Sequence, residues 1–163
     1  MTAVDDLVCF SLYQASRATT QVYRRLLAPW GVTYPQFLVL LELWMHGPTT
    51  VSGLGDDLDL DSGTLSPLLR RMERDGLVVR VRGDDDQRVV TVALTERGSA
   101  LRVEMADVLA ELARCTGLTV ESAVALRDTL HELTANLRSA APAPEAPARR
   151  RDEGDLHGHD LHR

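Results

Sequence analysis

Cys9 sits early in an apolar helical pattern, LVCFSLYQAS, and all three tyrosines of the chain, Tyr13, Tyr23 and Tyr34, lie within 25 residues of it. That grouping could do redox chemistry. A thiolate, not a thiol, attacks an electrophile such as a peroxide oxygen. Phenol hydroxyls donating to sulfur favour the charged form, as does a position in the first two turns of a helix. Burial among Leu7, Phe10 and Leu12 would work against it, as would Asp5 and Asp6. The spacing sets a condition. Cys9 and Tyr23 are 14 residues apart in one helical pattern, a rise of about 21 Å. They can meet only across an interface in which the first helices of two copies cross. Tyr34, beyond Pro29 and Gly31, can join such a site, and Tyr13 can pack beside Cys9 four residues along the same face. The plain alternative is an inert buried cysteine, with tyrosines that only pack an interface.

A second set of residues suits nucleic acid. Ser62, Gly63, Thr64 and Ser66 open the pattern SGTLSPLLRRMERDG. They are small enough for close approach and able to hydrogen-bond bases or phosphates. Arg70, Arg71 and Arg74 lie one to three turns further along, within reach of backbone phosphates. Asp86 stands two residues before Arg88 in GDDDQR, where a carboxylate can orient a guanidinium for a narrow minor groove. Each has a simpler reading when taken singly, as a helix cap, a solvated face or a local ion pair. Their order on one frame favours DNA.

That frame follows from periodicity. Residues 4–28 fit an amphipathic helix, broken by Pro29 and Gly31. Tyr34-Pro35 opens an apolar helix, PQFLVLLELWMHG, that stops at Gly47-Pro48, and residues 51–58 read as a short helix. Asp61-Ser62 offers an N-cap for the next helix, which ends at Gly76. Pro67 inside it normally costs about 3 kcal/mol, so the favoured start lies nearer Gly63 or Thr64, putting the proline in the first turn. The period then shifts to two. LVVRVR (77–82) and VVTVAL (89–94) read as a β-hairpin. Thr95-Glu96 starts a long helix through about Arg114, Gly117 interrupts, and 119–138 forms another helix. From Ser139 the proline-rich composition predicts a disordered tail, 139–163. A short helix, a turn, a capped helix and a hairpin make a winged helix-turn-helix.

Bulk composition is permissive. Net charge is −6, yet six of the 18 basic residues, all arginines, fall between Arg70 and Arg88. Phosphate contact depends on such local potential rather than on the total. There is no apolar run of about 18 residues and no export signal in MTAVDDLV. The two cysteines, 106 residues apart, fit neither a disulfide scaffold nor a zinc site. A cytoplasmic protein is expected. His157, His159 and His162 in the tail have weak chelator spacing, but a solvated end is the simpler reading, and neither metal nor cofactor is assigned.

The stretches LVCFSLYQAS, LLAPWGVTYPQFLVLLELW, LDLDSGTLSPLLRRMERDGLVVR and DDDQRVVTVALTERG resemble those of MarR-family regulators. Within that family they are most similar to the organic hydroperoxide sensors of the OhrR type. The resemblance runs from about Leu7 to Leu101. Its D-x-R wing marks the broad family, whereas LCF-like, TYPQ and LDSGTL stretches mark the sensors. The resemblance implies a mainly α homodimeric repressor on a pseudo-palindromic operator, not an enzyme, oxidised by organic hydroperoxides. The chain would then divide into a regulator domain, 1–138, and the tail. The DNA-binding core would be 34–94, and helices 4–28 and 95–138 would form the dimer interface. Cys9 matches the reactive cysteine, and Tyr23 and Tyr34 match the tyrosines that hydrogen-bond its thiolate. Cys115 matches by region the resolving cysteine of two-cysteine members. The pocket would be apolar enough to prefer alkyl or lipid hydroperoxides. Alternatives are a repressor released by a small aromatic ligand, a thiol peroxidase, and a winged helix that binds protein instead of DNA.

Overall fold

The computed structural model describes residue 4, residues 7–82 and residues 89–140. Asp5, Asp6, Asp86, Arg88 and the tail histidines therefore lie outside the described residues. The chain divides into two compact units, Met1–Gly117 and Leu118–Arg163.

In the first unit, α1 (Val8–Leu27) runs unbroken into a 3₁₀ turn at Ala28–Trp30 that contains Pro29. Helix α2 (Tyr34–His46) starts on a cap written in its TYPQ sequence. Gln36 Oε1 accepts from the Thr33 amide at 2.8 Å and from its hydroxyl at 3.0 Å. Pro35 falls in the first turn, where its missing N–H costs nothing. The helix is apolar on most sides and buries Phe37, Val39, Leu40 and Leu43, as a central helix must.

Next come β1 (Thr49–Thr50), α3 (Val51–Leu58), α4 (Ser62–Arg74), β2 (Val78–Arg82) and β3 (Val90–Leu94). The strands form an antiparallel sheet in the order β1-β3-β2, with Thr49 opposite Val92 and Arg80 also opposite Val92. Two threonines gave no strand signal, so β1 was not expected. The core joins Leu27, Phe37, Leu40, Leu54, Leu65, Leu69, Met72, Val78 and Val92. A left-handed turn is required after α4. Gly76 supplies it at φ 69°, and the Leu77 amide returns to the Met72 carbonyl at 2.9 Å.

Two expectations need correction. Asp61, not Gly63 or Thr64, caps α4, so Pro67 lies in the helix interior. Its missing N–H leaves the Gly63 carbonyl without a helical donor, and Gly63 is exposed, where water can serve. Burial of Leu65, Leu68, Leu69 and Met72 offsets the remaining cost. The single helix expected over 95–114 is instead α5 (Glu96–Glu104) and α6 (Val108–Thr116). Between them Ala106 and Val108 donate three residues back, to Val103 and Met105. No glycine or proline signals this tightening. Met105 and Val108 are both buried beside it, and tertiary packing overrides propensity.

Helix α5 is held tightly to the sheet. A Cβ on Gly98 would lie 2.1 Å from the Leu77 carbonyl oxygen, so only glycine permits the approach. Trp44 Nε1 donates to the Gly98 carbonyl at 2.9 Å, tying α2 to the same point. In the second unit α7 (Val120–Ala140) continues through Ser139 and Ala140, residues expected in the tail. It buries none of its side chains, and Val120, Val124, Leu126 and Leu137 are exposed.

Candidate DNA interface and thiol site

Helix α4 turns Leu65, Leu68, Leu69 and Met72 inward. At about 100° per residue, Gly63, Pro67, Arg70 and Arg74 fall on the opposite face. Ser62, Gly63, Thr64, Arg70, Arg71 and Arg74 are exposed, as a groove-entering helix requires. Thr64 has a prior commitment. Its amide and hydroxyl donate to the two oxygens of Asp61, each at 2.9 Å, and those bonds hold the Asp61 carboxyl below its ordinary range. Ser66 is half-buried and faces a cleft of about 410 Å³ lined by Thr50, Val51, Ser52, Arg80, Val89 and Val90.

Glu73 and Arg80 form a pair that no sequence motif signals. Arg80 Nε and Nη2 donate to Glu73 Oε2 at 3.0 and 2.5 Å, joining the last turn of α4 to β2. Those bonds keep the Glu73 carboxyl below its usual range. Period-two alternation could have indicated this, because Arg80 shares the inward face of β2 with buried Val78. An inward charge on a strand calls for a partner.

The thiol residues fall into two groups at opposite ends of α1. Cys9 is the second residue of the helix and is exposed, with Leu7 and Val8 exposed beside it. The expected burial of the thiol is therefore not met within one chain. Tyr13 packs against Phe10, ring centroids 6.5 Å apart, and its hydroxyl accepts from Arg17 at 3.0 Å. Only Tyr23 and Leu27 of α1 are buried, so its N-terminal two-thirds is largely uncovered.

At the other end Tyr23 and Tyr34 stack at 4.2 Å, with Phe37 5.9 Å from Tyr23. Burial, and then the charge of a neighbouring Tyr34 phenolate, push Tyr23 up to about 12. Burial raises Tyr34 as well. Both therefore stay protonated near neutral pH and keep an O–H to donate. Cys115, near the end of α6, is exposed, and Arg25 Nη2 lies 3.9 Å from its sulfur. Cys115 thus belongs with the tyrosine end. Arg25 is 16 residues beyond Cys9 on an unbroken helix, a rise of about 24 Å, far over the 7 Å or so of Cα separation that a disulfide allows.

Residues 32–90, from just before α2 to the first residue of β3, match the MarR family model. Along 134 residues the chain is 40% identical to the organic hydroperoxide resistance transcriptional regulator of Bacillus subtilis, covering 82% of this chain and 91% of that one. The chain belongs to the MarR family. The fold of reduced AbfR of Staphylococcus epidermidis bound to DNA is similar, with TM-score 0.70 and 34% identity over 80% of this chain and 91% of that one. Disulfide-formed AbfR is less similar in shape, at TM-score 0.57 and 36% identity over 78% and 89%.

This MarR-family chain is a transcriptional regulator with a winged-helix fold, a DNA-binding protein and not an enzyme. Among its described residues no single helix is long and apolar enough to cross a membrane, and no group of His, Cys, Asp and Glu could hold a metal ion.

Proposed function

We propose that this regulator is a cytoplasmic homodimeric repressor that leaves its pseudo-palindromic operator when an organic hydroperoxide oxidises Cys9. The observation that carries this reading is the division of the thiol residues between the two ends of α1. Two α1 helices crossing antiparallel near Ser16 would set each Cys9 level with the partner's Tyr23, Tyr34 and Cys115. Ala15, Ser16, Thr19 and Thr20 are small and exposed, suiting a close helix contact. The exposed Leu7, Val8 and Tyr13 would be covered in the same step. The name of the Bacillus relative supports the choice of signal.

In the chemistry, the Cys9 thiolate attacks the distal oxygen of R–O–O–H and the O–O bond breaks. The alkoxide takes a proton and leaves as alcohol, and sulfur becomes a sulfenic acid, oxidised by two electrons. Tyr23 and Tyr34 donate to the thiolate beforehand. The partner's Cys115 thiolate then attacks the Cys9 sulfur and breaks its S–O bond, and the hydroxide released takes a proton from solvent to leave as water, giving a disulfide. Because the helices bearing these sulfurs must be drawn together, the two DNA-reading frames shift and the half-site spacing is lost. Ser62, Gly63, Thr64, Ser66, Arg70, Arg71 and Arg74 contact the operator from α4, and Arg88, oriented by Asp86, enters the minor groove.

Fluorescence anisotropy on an operator duplex, with and without cumene hydroperoxide, tests the reading. Wild type should dissociate, whereas Cys9→Ser should bind equally well and stay bound. Oxidised wild type should run as a thiol-reversible covalent dimer on a non-reducing gel, and Cys115→Ser as a monomer. Release of Cys9→Ser by the peroxide would sink the proposal.

A further inference from the structure

We infer that Glu73 and Arg80 form a positioning pair that sets the tilt of the wing relative to the recognition helix, so that both can engage DNA together. The inference rests on the reading above that Arg88 contacts the operator. Three observations carry it.

The first is how the wing is held. Strand β3 is paired on both sides, by β1 and by β2, whereas β2 is an edge strand. Beyond Val78, its side chains Val79, Val81 and Arg82 are exposed. Arg80 is then the outermost described side chain of β2 tied to α4.

The second is the space around the pair. The cleft between wing, α3 and α4 is about 410 Å³, and Arg80 lies on its wall beside Ser66 and Thr50. Packing fixes the base of the sheet, where Val78 and Val92 are buried and β1 pairs with β3, but beyond Val78 no side chain of β2 is fully buried. The Glu73–Arg80 ion pair adds a restraint further out along the strand.

The third is magnitude. With side chains 30% and 38% exposed, the pair resembles surface ion pairs, worth roughly 0–1 kcal/mol to stability. That is too little to matter for folding. Orientation is another matter. A tilt of about 10° about Arg80 moves Arg82, the last residue of β2 and roughly 7 Å away at strand rise, by roughly 1 Å. The minor groove is only about 6 Å wide. Two guanidinium donors, Nε and Nη2, share the single oxygen Glu73 Oε2. An inward charge that merely blunts the edge of the sheet against aggregation would leave DNA contacts alone, and this gives the test its contrast.

The experiment uses reduced full-length protein and a duplex selected by wild type from a random-sequence pool. Hydroxyl-radical footprinting reads the minor-groove flanks, and dimethyl sulfate protection reads the major groove. Glu73→Gln should keep major-groove protection at saturating protein but lose flank protection, with affinity falling about three- to tenfold. The reversed pair, Glu73→Arg with Arg80→Glu, should recover flank protection and most of the affinity. Arg88→Ala is the control and should lose the flanks by itself. If Arg88→Ala keeps them, the wing does not read DNA, and this inference falls with that reading. If Arg88→Ala loses them while Glu73→Gln keeps them, the positioning pair alone is refuted. Loss of both protections together in Glu73→Gln and in the reversed pair, with a lowered melting temperature, would refute it too, by showing a merely structural role.

Discussion

The DNA-reading frame and the thiol region solve opposite problems. From Tyr34 to Leu94 the helices and strands bury Phe37, Leu40, Leu54, Leu65, Leu69, Met72 and Val92 against one another. The exposed α4 residues are thereby held in place by contacts within one chain. Helix α1 buries only Tyr23 and Leu27 and leaves Cys9 uncovered, far from the tyrosine pair. Reading DNA is thus a property of each subunit, whereas sensing, as proposed, is a property of the pair. Such a division suits a switch. In the proposed switch, each reading head would be moved as a body when oxidation alters the joint between the two subunits.

The comparison can be broken most severely in the frame. Leu69→Ala removes a fully buried side chain of α4 and should cost about 2–5 kcal/mol of stability, with operator binding lost in proportion. Denaturant melts would check it, and a cost under about 1 kcal/mol would mean that α4 is not anchored as described. Arg88→Ala should leave melting unchanged and weaken operator binding by about 1–3 kcal/mol per subunit. Unaltered affinity at physiological salt would remove the wing from recognition. The smallest effect concerns the tyrosine pair. Because the folded state raises Tyr23 from 10.0 to about 12, the neutral phenol is the form that folding favours. Its contribution is complete below pH 10 and is lost as pH climbs through 12. Wild type should lose stability relative to Tyr23→Phe across that window, and parallel profiles would show that the phenol is not buried.

Much of the frame was legible in the sequence. The opening of α2 at Tyr34-Pro35, the change of period at Leu77 and the apolar run of α2 each depend on local chemistry that a sequence displays. Pro67 misled because its cost is local whereas its compensation, burial of Leu65, Leu68, Leu69 and Met72, is tertiary. Strand β1 was missed because its two threonines pair only once β3 is beside them. The split between α5 and α6 has no local signature at all. In the thiol region, the 14-residue spacing already separated Cys9 from Tyr23, and the unbroken α1 upholds that. The position of Cys115 next to Arg25 could not be read, since it depends on how α6 packs on α1. Neither could the Glu73–Arg80 pair, which joins a helix to a strand.

Mixed dimers test most directly whether the sensing site is shared between subunits. One subunit would carry Cys9→Ser with its tyrosines intact, and the other Cys9 with Tyr23→Phe and Tyr34→Phe. The rate at which cumene hydroperoxide consumes the single Cys9 thiol would be followed by loss of alkylation. If each thiolate is served by the other subunit's phenols, this dimer should react at close to the wild-type rate per thiol. The opposite arrangement, with the tyrosines intact only on the Cys9 subunit, should react as slowly as the doubly substituted homodimer. The reverse order of rates would mean that Cys9 and its tyrosines act within one chain, and the crossing of two α1 helices could not be the sensing device.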